Sequence, residues 1–167
     1  MALWRIRAAL EDEPGRLAAI TAAIASCGGN VFGFSVQTHE GGPVDEFFVD
    51  TPEQTGRFRL IEAVTGAGGT QVTAVPADPH DLVDAPTKAL KLAAALLAAP
   101  ESLPDALADL LDADDAWWDP GTEGVADATV LVVPVADGRR VAVVREGLPF
   151  TLTEAARAGA LAALVGG

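Results

Sequence analysis

A chain of 167 residues, half of them hydrophobic and 21% charged, carries enough apolar material for one globular domain or two small ones, and too much for a disordered segment. Its formal charge of −13, with 24 acids against 11 lysines and arginines, argues against nucleic acid and against an anionic membrane surface, since both draw on clustered basic side chains. A single cysteine, Cys27, excludes an intrachain disulfide and every multi-cysteine metal motif.

The first residues, MALWRIRAALEDE, lack the long apolar core of a secretory signal. The most apolar run, LKLAAALLAA at 90–99, is too short to span a bilayer. The expectation is a soluble, cytoplasmic protein. Residues 3–10 alternate, with Trp4, Ile6, Ala8 and Leu10 on one side and Arg5 and Arg7 on the other, which is the period of a half-buried strand. From Pro14 to Cys27 the period becomes helical through Leu17, Ile20 and Ile24, and Gly28 and Gly29 stop the helix. Cys27, at the end of that helix, reads as a buried thiol. NVFGFSVQT is a second strand, and the turn EGGP at 40–43 leads into a third, VDEFFVD, as a hairpin. A second helix is expected from about Pro52 through Phe58, Ile61 and Val64 to the glycines at 66–69, followed by the strand TQVTAVP. The order βαββαβ folds, through right-handed crossovers, into a four-stranded antiparallel sheet with both helices on one face, the ferredoxin-like α+β arrangement.

Residues 76–86 have no period and several prolines and acids, and read as a linker, with 79–86 as its centre. Helices follow at 87–99 and 103–113, the second opened by a capping-box pattern from Ser102 to Asp105. DAWW is a short strand. TVLVVPV and RRVAVVRE flank the turn Ala136-Asp137-Gly138 as a hairpin, and Thr151 with Glu154 opens a last helix through a second capping box. The second half, 87–167, is thus a small α/β unit of ααβββα type. Trp117 and Trp118 are adjacent in a strand and must point to opposite faces, so at most one lines a given pocket.

Glu11-Asp12-Glu13-Pro14-Gly15-Arg16-Leu17 raises the functional question, because glycine is a poor helix former in a place where a helix begins. Two readings are open. Pro14-Gly15 makes a tight strand-to-helix turn, or Gly15 lets a ligand approach the unpartnered N–H groups of the first helical turn, from Gly15 to Leu17, at the positive end of the dipole. The acids would repel a pure anion but accept a zwitterion, with the carboxylate of an amino acid on the amides, its ammonium against Asp12, and Arg16 offsetting part of the negative charge.

Residues 1–78 resemble the ACT domain, a small regulatory module of amino-acid metabolism. The resemblance lies in the βαββαβ order, the acid-x-Pro-Gly-x-Leu turn of EDEPGRLAAITAAIASCGGNVFGF, and Gly29-Asn30-Val31 opening the second strand. It implies an amino-acid site between the first loop of one copy and the second strand of another, made of Asp12, Pro14, Gly15, Arg16, Leu17, Asn30 and Val31, and hence a homodimer. Asn30 would offer its side-chain amide and Val31 a backbone group. Leu10 and Asp12 stand where some serine-binding members carry histidine and asparagine, which argues against serine. Residues 103–165 more faintly resemble the two ends of a GAF domain without its middle, which implies a truncated, structural unit.

Other chemistry finds no support in the residues. GAGGT at 66–70 ends a helix and enters a strand, the reverse of a dinucleotide loop. His39 and His80 have no regularly spaced partners, and Asp112, Asp114 and Asp115 read as a solvated face. No nucleophile motif is present, and neither a metal nor a cofactor is expected. The sequence therefore points to a non-catalytic regulator that binds an amino acid or similar zwitterion, the alternative being a protein-interaction or dimerisation module with a protein partner and no small ligand.

Overall fold

The computed structural model describes residues 1–39, 42–77, 85–121 and 129–165. The chain divides into two compact units, Met1–Leu82 and Val83–Gly167.

The N-terminal unit runs β1 (Ala2–Ala9), α1 (Arg16–Ser26), β2 (Asn30–His39), β3 (Gly42–Thr51), α2 (Arg57–Gly66) and β4 (Thr70–Pro76). Its strands lie in the order β2-β3-β1-β4, every neighbouring pair antiparallel. This is the ferredoxin-like fold. Ile6 pairs with Phe47 on one side and Ala74 on the other, and these three are buried with Ala8 and Val49 against Ile20 and Ile24 of α1 and Leu60 and Val64 of α2. Both helices therefore cover the same sheet face. Cys27 closes the end of α1 as a buried free thiol. The residues 40–41 of the expected β2–β3 turn lie outside the described residues, although His39 and Gly42 pair on either side of it.

Two expectations need correction here. The segment from Pro52 is not yet helix: Thr55 N–H donates to Pro52 O at 2.9 Å in a turn, and its hydroxyl donates to Cys27 O at 3.1 Å. α2 starts only at Arg57, so its buried residues are Leu60 and Val64 while Phe58 is 77% exposed. The arginine side of β1 is also closed. Arg5, Arg7 and Glu46 are all buried, and the Glu46 carboxylate accepts from Nε of Arg5 at 2.8 Å and of Arg7 at 2.6 Å. Alternation marked the two faces correctly, but a paired charge can be buried as an unpaired one cannot.

The C-terminal unit runs α3 (Ala85–Ala98), a 3-10 turn (Pro100–Ser102), α4 (Leu103–Leu111), β5 (Asp115–Trp118), β6 (Val130–Pro134), β7 (Arg140–Val144) and α5 (Leu152–Ala162), the ααβββα order. Its antiparallel sheet has the order β5-β7-β6. Leu96, Leu103, Leu107, Leu111, Val141, Val143 and Ala158 form its core. Trp118 packs against that core with Arg139 over its ring at 3.9 Å, while Trp117 is exposed on the other face. Thr151 forms the expected capping box with Glu154. Ser102 does not cap α4: the preceding 3-10 turn gives it φ −81° and ψ 12°, not the extended backbone a cap needs, and its hydroxyl donates to Ala99 O at 2.8 Å. Of the expected linker at 79–86, residues 79–84 lie outside the described residues, and α3 already begins at Ala85.

Candidate functional site at the start of α1

The strand β1 ends at Ala9, and five exposed residues lead to the helix. Glu13 N–H donates to Glu11 O at 2.8 Å and Arg16 N–H to Glu13 O at 3.2 Å, so the chain coils tightly before it turns helical. Gly15 is the N-cap, at φ 88° and ψ −8°, and no side chain caps the helix. This corrects the expectation that Pro14 occupies the first helical position with Gly15 inside the turn. Glycine is required for its left-handed backbone, where a Cβ would be strained. The space around it is nevertheless open, since a Cβ built there meets nothing within 4 Å.

The amides divide accordingly. Arg16 N–H is taken by Glu13, whereas the N–H groups of Leu17 and Ala18 have no acceptor among the described residues and lie at the positive end of α1. The acids divide as well. Arg16 Nη2 donates to Glu11 at 2.9 Å and to Glu13 at 2.7 Å, which leaves Asp12, exposed and without an ion pair among the described residues, as the acid of the turn that Arg16 does not hold. Such a corner offers unpartnered donors, a carboxylate that Arg16 does not hold and room between them, a combination suited to a small molecule bearing both signs of charge.

Asn30 and Val31 are not part of that corner within one chain. Asn30 pairs with Asp50, which in turn pairs with Leu3, so Asn30 lies at one end of the sheet and Gly15 beyond the other. From Leu3 to Ala9 the rise of a strand spans about 20 Å. Asn30 is exposed and Val31 half-buried opposite Val49. They open β2, an edge strand that bends at a register shift between Val31 and Gly33 and exposes Phe32, Phe34 and Val36 by 58%, 46% and 56%.

One residue near the corner escaped the sequence reading. Asp45 pairs with Ala8 and Val36 on the helix-covered face, at the same end of the sheet as Gly15. Burial pushes its carboxyl above the ordinary aspartate value, and it has no hydrogen-bond or ion-pair partner among the described residues. The alternation Asp45, Phe47, Val49 was the signal that would have placed it on the buried face. Among the described residues no group of three or more potential metal ligands comes together, and no helix is long and apolar enough to cross a membrane.

No protein-family model matches the chain, and no curated protein matches it. Among solved structures it is similar to an unknown protein from Galdieria sulphuraria, at 13% identity over 85% of this chain and 79% of that one, with a TM-score of 0.42. It is also similar to the ligand-free regulatory subunit of aspartate kinase from Thermus thermophilus, at 17% identity over 98% and 90% and a TM-score of 0.35. The regulatory subunit of aspartate kinase from Thermus flavus compares at 12% identity over 96% and 93%, again with a TM-score of 0.35. The fold assigned above rests on the strand order itself.

Proposed function

We propose that this chain is a non-catalytic regulatory protein of the cytoplasm that binds a free amino acid, or a similar small zwitterion, where two copies meet. The observation that carries the reading is the open corner at Gly15: an uncapped helix start where, among the described residues, the amides of Leu17 and Ala18 have no acceptor and nothing beyond the glycine's chain neighbours comes within 4 Å of its missing side chain. The ligand's carboxylate would take those amides, and Asp12 its ammonium. The resemblance of residues 1–78 to the ACT domain supports the same site.

A homodimer supplies the missing half. If two β2 edges pair antiparallel across a two-fold axis, the Asn30 end of one copy lies beside the Gly15 end of the other, which overcomes the separation found within one chain. The exposed Phe32, Phe34 and Val36 of β2 give such a pairing an apolar surface to bury. A ligand held only between copies favours the paired state by its differential affinity, and that difference is the whole signal. At roughly 0.5 kcal/mol per heavy atom, dissociation constants fall between micromolar and millimolar.

Calorimetry with the twenty amino acids tests the reading, together with sedimentation in their presence and absence. Binding by at least one, with a shift toward the dimer, is the expected result; silence across the panel at millimolar ligand overturns it. The apolar β2 edge also favours a second reading, in which the unit only assembles copies or holds a protein partner. A dimer of unchanged stability in every amino acid would select it.

A further inference from the structure

Two turns of the N-terminal unit are built alike. After α1 the N–H of Gly28 donates to Ala25 O at 2.9 Å and that of Gly29 to Ile24 O at 3.0 Å; after α2, Gly68 donates to Thr65 O and Gly69 to Val64 O, both at 3.0 Å. Gly28 and Gly68 take the left-handed position that ends a helix, at φ 78° and 101°. They differ in what stands over them. A Cβ on Gly28 would touch the Pro52 ring at 3.3 Å, whereas one on Gly68 would lie 2.6 Å from Nη1 of Arg16 and 3.4 Å from its Cζ. The guanidinium of the first α1 residue thus rests on the turn that follows α2, beside the negative end of that helix. Its Nε is buried with no hydrogen-bond partner among the described residues, while its Nη2 holds Glu11 and Glu13.

Building on the amino-acid reading above, we propose that Gly68 is a positioning residue for the ligand turn. Having no side chain, it seats Arg16. Arg16 so held ties Glu11 and Glu13 to itself, and neither carboxylate then competes with a ligand for the amides of Leu17 and Ala18. A methyl group at Gly68 displaces the guanidinium, frees the two acids and turns the corner against anionic groups, although residue 68 touches no ligand.

The matched turns provide the control. Gly68→Ala and Gly28→Ala both place an alanine at positive φ, but only the first meets Arg16. With whichever of the twenty amino acids binds the unaltered chain as probe, Gly68→Ala should weaken binding about tenfold or more, the scale of a disturbed charge-assisted contact. In an Arg16→Lys background, where the side chain ends short of the contact, Gly68→Ala should cost no further affinity. Unchanged affinity in Gly68→Ala, or an additive loss in the lysine background, overturns the proposal. A second arm needs no ligand: in urea unfolding, Gly68→Ala and Arg16→Ala should be coupled and Gly28→Ala and Arg16→Ala additive. Additivity in both removes the seat even if an amino acid binds. Coupling in a protein that binds none of the twenty leaves the seat standing as a packing contact and overturns its ligand role together with the functional reading.

Discussion

The starts of α1 and α5 answer the same problem in opposite ways. Each helix begins with N–H groups that have no intrahelical acceptor. At α5 the protein fills the need itself: Thr151 Oγ1 accepts from Glu154 N–H at 3.1 Å, and the Glu154 carboxylate accepts from Thr151 N–H at 2.8 Å. Arg145 then closes the corner, donating to both Glu154 oxygens and to the carbonyls of Leu111, Leu148 and Pro149. Arg145, Thr151 and Glu154 are all buried. At α1 the cap is a bare glycine, the nearest arginine is turned onto the acids of its own turn, and the amides of Leu17 and Ala18 have no acceptor among the described residues. A sealed start is a structural joint; the starts of α2 and α4 also lack a side-chain cap, and the α1 corner differs from them in its left-handed Gly15 and in the exposed Asp12 beside it, which has no ion pair among the described residues.

The largest test breaks the seal. Glu154→Ala leaves the buried Arg145 without its counter-charge and Thr151 without half its cap, and should destabilise the C-terminal unit by about 3–5 kcal/mol, read as urea unfolding. A loss under about 1 kcal/mol would mean that the joint is as open as the α1 corner and would remove the contrast.

The N-terminal unit has its own buried carboxylate, and it sharpens the comparison through pH. Burial acts to raise the Glu46 carboxyl, but the adjacent Arg5 and Arg7 outweigh it and hold the group below its ordinary value of 4.5. A depressed carboxylate contributes stability that is complete above the unfolded value and is lost as pH falls through the folded one. The N-terminal unit should therefore weaken on acidification below pH 4.5. Glu46→Gln should cost about 2–3 kcal/mol at neutral pH, because the amide keeps the shape but not the charge, and should flatten the acid limb. An unchanged limb would show that other carboxylates govern it.

How much of this was legible follows from the kind of signal each feature leaves. Periodicity carried the order of elements, since Ile6 and Ala8, Ile20 and Ile24, and Val141 and Val143 repeat at the spacing of the structures they build. The start of α2 was misplaced because Pro52 signals a helix start and a turn equally well, and only the hydrogen bonds of Thr55 decide between them. Ser102 has the residue pattern of a cap, yet capping depends on its backbone angles, which the preceding 3-10 turn sets. At the candidate site the turn itself was readable from Pro14, Gly15 and Arg16, but the division of its acids was not, because Arg16 chooses Glu11 and Glu13 over Asp12 only once the chain has coiled. The distance between Gly15 and Asn30 is likewise a matter of strand register, which no residue pattern announced.

A smaller effect probes the sealed corner alone. Thr151→Ala removes the hydroxyl that accepts from Glu154 N–H while Arg145 keeps its carboxylate, so the cost should be about 1 kcal/mol, the usual scale of a lost N-cap. If it approached the Glu154→Ala value, the capping box and not the buried ion pair would be the element that closes α5.

The smallest expected effect lies at the open corner and separates its two explanations. Gly15 has a left-handed backbone that most residues resist and an empty surrounding that any side chain could enter. Gly15→Val would fail on the first count whatever the second, so its loss of binding would say nothing about a ligand. Asparagine tolerates the left-handed region, and Gly15→Asn should change unfolding stability by no more than about 0.5 kcal/mol while its amide stands over Leu17 and Ala18. In the same protein amino-acid binding should be lost, because the added side chain takes the space and one of the donors the ligand needs. Unaltered affinity would place the ligand elsewhere. A stability loss beyond about 2 kcal/mol would show that the corner is closed in solution, and α1 would then begin as α5 does, sealed by the protein itself.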